Sequence, residues 1–217
     1  MSPSTAESTR AALLSAAERL FAERGIDAVS LREINRESGA RNAIALQYHF
    51  DDRAGVVQAI LAKHRNDIEA RRHALLDEYE ATGQADLRAL AGALVRPLAA
   101  KLADADGGPE YLQIHADLLN RPQPAMVGPD PDDPLDSANR WRALAAEAID
   151  PEAVRLHRRF TAILHCAVEL GRRARSGPHA DDRLFTSYVV DVVTAILAAP
   201  VSDETSRLAT ERDEARR

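Results

Sequence analysis

A chain of 217 residues, 45% apolar, 29% charged and 4% aromatic, suits one domain of ordinary size or two small ones sharing a core. Its one cysteine, Cys166, excludes an internal disulfide framework and a cysteine-built zinc site, and its net charge of −6 argues against holding nucleic acid by bulk electrostatics. No apolar run approaches the roughly 18 residues of a membrane span, and the opening MSPSTAESTRAALL lacks the basic-then-apolar order of a signal peptide, which predicts a cytoplasmic chain with no membrane partner.

Ala, Leu, Arg, Glu and Asp dominate, and strict apolar/polar alternation is almost absent, so the predicted class is all-α. The first helix is predicted after Ser8 or Thr9, with Leu13, Leu14, Ala17, Leu20 and Phe21 on one face, and it stops at Gly25. Ser30 with Glu33 three residues on is a capping box that opens a short second helix ending at Gly39. A third short helix is predicted from Asn42 to Tyr48 or His49. Asp51 and Asp52 then cap a long fourth helix running to about Ala81. A fifth is predicted over 84–103, kinked at Pro97, and a sixth over 110–119. The stretch RPQPAMVGPDPDDPLD reads as an irregular loop. Beyond it come helices over 137–149, over 151–176 and over 181–199, followed by a charged tail from Ser202 that is expected to fray.

The second and third helices, joined at Gly39, have the layout of a helix-turn-helix: a short supporting helix, a glycine turn, and a helix whose N-terminal end can enter a major groove. The stretch TRAALLSAAERLFAERGIDAVSLREINRESGARNAIALQYHF, followed by DDRAGVVQAIL, resembles the N-terminal domain of the TetR family of bacterial transcription regulators. The likeness runs from Thr9 to about Lys63 and rests on LFAERG, the small turn IDAVS, LREI, the glycine turn, and Tyr48-His49-Phe50 with Arg53 after it. The resemblance implies a three-helix DNA-binding head over residues 6–66 and a six-helix ligand-binding and dimerisation body over 67–217. Two departures stand out: one residue more than the commonest family form between Gly39 and Phe50, and Arg41-Asn42 with apolar Ala43-Ile44-Ala45 where a lysine is usual.

The resemblance sets Arg41 and Asn42 at the start of the recognition helix and Ala45 one turn on. Arg pairs bidentately with guanine and Asn with adenine, each for roughly 1 to 3 kcal/mol of discrimination. Gln47 is a candidate for adenine edges, Tyr48 and His49 for phosphate and sugar, Ser30 for a phosphate at a helix N-terminus, and Arg53 for a backbone clamp. Ser30 as a plain cap, Arg41 as a solvated arginine and His49 as an orienting group are the structural alternatives. Residues 1–53 hold seven Arg against eight Asp or Glu, a balance of −1, while the rest of the chain carries 21 basic against 26 acidic residues, a balance of −5. The expected picture is a nearly neutral head on an acidic body.

For the body, the helices at about 151–176 and 181–199 are the expected homodimer pair, and an unidentified small-molecule effector is expected among helices four to eight. Tyr111, His115, Trp141, His157 and His165 are the ligand candidates, with Met126 on the proline-rich loop as a lid; the plainer role for Tyr111 and Trp141 is core anchoring. Cys166 reads as a small buried apolar residue. No catalytic motif, metal-ligand spacing or cofactor loop is found. The function implied is a ligand-responsive regulator, most simply a repressor released from a palindromic double-stranded operator. The alternative is a helical small-molecule-binding protein or enzyme keeping the head as a structural remnant.

Overall fold

The computed structural model describes residues 5–40, 45–122, 133 and 135–216. Among these the chain is helical without a strand: α1 (Thr5–Arg24), α2 (Leu31–Glu37), α3 (Ala45–Phe50), α4 (Arg53–Thr82), α5 (Leu87–Ala99) running into a 3₁₀ turn at Ala100–Ala103, α6 (Gly108–Leu119), α7 (Ser137–Ala148), α8 (Pro151–Arg155), α9 (Arg158–Arg175), α10 (Arg183–Ala198) and α11 (Asp203–Glu214). No single helix among them is long and apolar enough to cross a membrane.

The local signals act where the sequence puts them. Ser30 and Glu33 close both halves of the capping box on α2, and Asp52 caps α4 by accepting from the Gly55 amide at 2.8 Å. Gly39 turns the chain between α2 and α3 at φ +70, a left-handed conformation that costs a β-carbon residue dearly. α1 begins at Thr5, a turn before the expected start. Two further departures are larger. The single helix expected over 151–176 is two, because His157 adopts φ 59 between α8 and α9. Long-range bonds set the new direction: Arg158 reaches the carbonyls of Ile196 and Ala199, and Arg159 that of Arg142. The tail expected to fray forms α11, whose first turn is capped by Ser202 and carries Asp203 and Glu204 against the helix dipole. Helices therefore number eleven among the described residues, against the nine expected.

One apolar core joins the bottom of the head to the body, from Leu13 on α1 to Leu197 on α10. α1 packs on α2, α3 and α4 and also meets α6; α5 lies between α4 and α10; α6 and α9 are the most intimate pair. Gly171 makes that last approach possible, since a β-carbon there would stand 2.7 Å from the Ala116 methyl and 3.2 Å from the Leu112 carbonyl. The boundary expected between residues 66 and 67 falls inside α4, which is continuous across it.

Candidate functional site

The head is built around buried groups that aim a short helix outward. Leu13, Ala17, Ile34, Leu46 and Phe50 meet in its core, and Asn35, itself buried, accepts the Leu46 amide on its Oδ1 at 3.2 Å. That bond fixes the first turn of α3 against α2, at a helix end that would otherwise leave the donor orphaned in the interior. On the far side of α3, Gln47 is exposed and Tyr48 is 81% exposed, its ring edge-on to His49 at 5.1 Å. These are the outward groups expected to meet a nucleic acid. Arg41 and Asn42, the two candidates for base edges, lie outside the described residues, as does Met126.

Three candidates face elsewhere than their expected contacts. Ala45 is 7% exposed and packs into the head's core, because the inner face of a two-turn helix needs it beside Leu46. Arg53 turns inward and donates from Nη2 to the Val29 carbonyl at 2.9 Å, tying the start of α4 to the turn before α2. Ser30 commits both its donors to Glu33, the amide at 2.8 Å and the hydroxyl at 2.7 Å. The Ser30 amide, its hydroxyl and Arg24 together hold the Glu33 carboxyl at about 2. A negative charge thus already occupies the helix end where a phosphate was expected.

Of the head's other arginines, Arg19 and Arg24 are paired with Glu37 and Glu33, and Arg10 stands over the Phe50 ring at 5.0 Å. Arg32 and Arg36 are exposed, one turn apart on α2, and have no ion pair among the described residues. Sequence reasoning passed over them. Their signal was there, since at four-residue spacing they share the face of α2 opposite the buried Ile34.

A buried carboxylate pins α1 to α4 where both meet the turn before α6. Glu18 of α1, 2% exposed, accepts from Lys63 Nζ at 2.8 Å and lies 3.1 Å from His64 Nε2, both on α4. Lys63 also meets the exposed Asp106 at 2.8 Å. Burial works against its ammonium, yet the bonds to Asp106 and Glu18 leave its pKa raised. The His64 ring lies 4.6 Å from that of Tyr111, which stacks in turn on His115 at 5.6 Å.

Tyr111 and His115 open onto a cavity of about 260 Å³ lined by residues of α4, α5, α6, α7 and α9. One face of α4, at Gln58, Leu61, Arg65, Glu69 and Arg72, forms its wall. Trp141 closes another side and donates from Nε1 to the Leu90 carbonyl at 2.8 Å. Burial, then the Arg72 cation, holds the His115 imidazole at about 4, and burial pushes the Tyr111 phenol up to about 12, so both rings are neutral near pH 7. His157 and His165 are not brought to this cavity: the first is exposed at the α8–α9 break, the second sits on α9 away from the lining. Cys166 is fully buried, and burial lifts its thiol to about 12.

Residues 13–60 match the family model described as bacterial regulatory proteins, tetR family. The matched span takes in α2, α3, most of α1 and the first turns of α4. No curated protein matches the chain.

Proposed function

The chain belongs, through its head, to the tetR family of DNA-binding transcription regulators, and from this premise we propose that it is a dimeric repressor released from its operator by a small molecule held in the body. The observation that carries the proposal is α4, which leaves the recognition region at Arg53 and forms the cavity wall from Gln58 to Arg72 without interruption. A ligand that displaces this helix displaces the head it carries. The ring contacts from His115 through Tyr111 to His64, and on to Glu18 of α1, supply a second line of packed groups between cavity and head.

Dimerisation is assigned to α9 and α10. Leu184 and Tyr188, one turn apart on α10, are 83% and 58% exposed, and Ala195 continues their face. The half-exposed Leu164 and Val168 of α9 add to it, because Arg173 at one end and Arg158 at the other bind α10 in antiparallel order. A pair of such faces related by a two-fold axis makes a four-helix interface. Two recognition helices then enter successive major grooves about 34 to 36 Å apart.

Selection of genomic fragments bound by the purified protein, followed by footprinting, tests the proposal. Protection of a two-fold symmetric site on one face of the duplex is expected. Binding without any sequence preference would overturn it.

A further inference from the structure

The cavity carries charge that its own residues leave unmatched. Its two carboxylates are committed. Asp136 accepts from Arg65 at 3.0 Å and from the Ala138 and Asn139 amides at 2.9 and 3.0 Å. Glu69 accepts from both the amide and the hydroxyl of Ser137, at 2.8 and 2.9 Å. Among the described residues Arg72, 5% exposed, has a hydroxyl and a carbonyl as partners: Nη1 donates to Ser137 Oγ at 3.0 Å and Nε to the Ala93 carbonyl at 3.3 Å. Among the described residues no carboxylate lies within 4.0 Å of its guanidinium.

A guanidinium does not shed its proton to escape this cost, although burial lowers its pKa. Glu69 and Asp136 favour the cation from a distance, but a buried guanidinium with no carboxylate in contact is costly, and its planar fork can donate two parallel hydrogen bonds to one. Among the described lining residues Arg65 is paired with Asp136, and Glu69 reaches Arg72 only through the Ser137 hydroxyl, so Arg72 has room for a carboxylate in direct contact. Beyond these, Gln58 and the rings of Tyr111 and His115 line one part of the wall, and Leu94, Leu98, Leu119, Ile163 and Trp141 supply its apolar part. The volume is at the small end for a ligand pocket.

We infer that the cavity takes a small organic monocarboxylate with an apolar body, its carboxylate paired with Arg72 and its body laid against the leucines and Trp141. This rests on the cavity being the effector site proposed above, and it names the class of effector.

Trp141 is the chain's one tryptophan, so its fluorescence reports occupancy directly. The full chain is titrated with benzoate, phenylacetate and hexanoate and with the neutral amide of each, followed by fluorescence and calorimetry. At least one acid is expected to bind, with its amide weaker by about tenfold or more. Arg72→Gln is expected to remove that difference, leaving acid and amide alike. The comparison of acid with amide on the unaltered chain holds even if the variant folds poorly. Equal binding of acid and amide overturns the ion pair while leaving a ligand cavity. Failure of every acid at millimolar concentration overturns the ligand class, and inorganic phosphate binding as tightly as the acids overturns the need for an apolar body. None of these results bears on the operator, so a chain that still selects its DNA site keeps the proposed function even if the inference falls.

Discussion

Lys63 makes two ion pairs of the same length, 2.8 Å to Glu18 and 2.8 Å to Asp106, yet the side chains of the two carboxylates are 2% and 83% exposed. Geometry alone would rank them equal; solvent does not. Glu18→Gln keeps the volume and shape of the side chain but removes the charge, leaving Lys63 to the exposed Asp106 alone and His64 beside a neutral amide. Breaking a buried pair costs about 3 to 5 kcal/mol, and the retained Asp106 bond places this case near 3. Asp106→Asn removes an exposed partner and is expected to cost about 0 to 1 kcal/mol. For a domain of this size the first translates into a fall in Tm of about 6 to 12 °C and the second into about 4 °C at most. Urea unfolding followed by circular dichroism, at fixed protein concentration because the proposed dimer would be linked to folding, measures both. Equal losses from the two variants, or a Glu18→Gln loss below about 1 kcal/mol, would refute the assignment of the α1–α4 joint to a desolvated charge cluster.

Gly171→Ala drives a methyl to within 2.7 Å of Ala116, so the α6–α9 pair is expected to lose about 1 to 3 kcal/mol, read as a lowered urea midpoint. The capping box has a pH signature. The Glu33 carboxyl sits at about 2 in the fold against an ordinary 4.5, so its stabilisation is whole above 4.5 and is lost as pH falls towards 2. The gap in unfolding midpoint between the native chain and Glu33→Gln should therefore close over that window, and a gap that widens on acidification would contradict the sign. Arg32→Ala and Arg36→Ala together should weaken DNA binding evenly across sequences and reduce the salt slope by about 2. An unchanged slope would show that this face of α2 does not meet phosphate.

What the sequence disclosed, and what it hid, divides along the range of the interactions. Ser30 with Glu33, Asp52 ahead of α4 and the turn at Gly39 are decided within a few residues, and all three stand where the local pattern puts them. Ser202 followed by Asp203 and Glu204 was an equally good start signal for α11, passed over because the segment beyond it is so polar. The break at His157 carries no such mark: no glycine or proline stands between Val154 and Phe160, and the carbonyls that redirect α9 come from about forty residues downstream. Arg53 matched a basic position but turned towards Val29, 24 residues earlier. Arg72 is the clearest case. In the run RNDIEARRH it looks like one more solvated charge, and only the covering of α4 by α5 and α7 converts it into a buried cation. Tyr111, His115 and Trp141 could be anticipated as bulky groups with a polar handle, whereas the charges between them depend on which helices meet.

The thirty residues of α4 make a rod about 45 Å long. A rod of that length is a lever. A tilt of about 5° about one end carries the other through about 4 Å, slightly more than the 3.4 Å step from one base pair to the next. Under the proposed function, a ligand that leaned the helix by so small an angle would carry the reading heads out of register by a whole base pair. The price of such sensitivity is that stiffness at the α3–α4 junction, where Arg53 grips the Val29 carbonyl, sets how much of the tilt arrives.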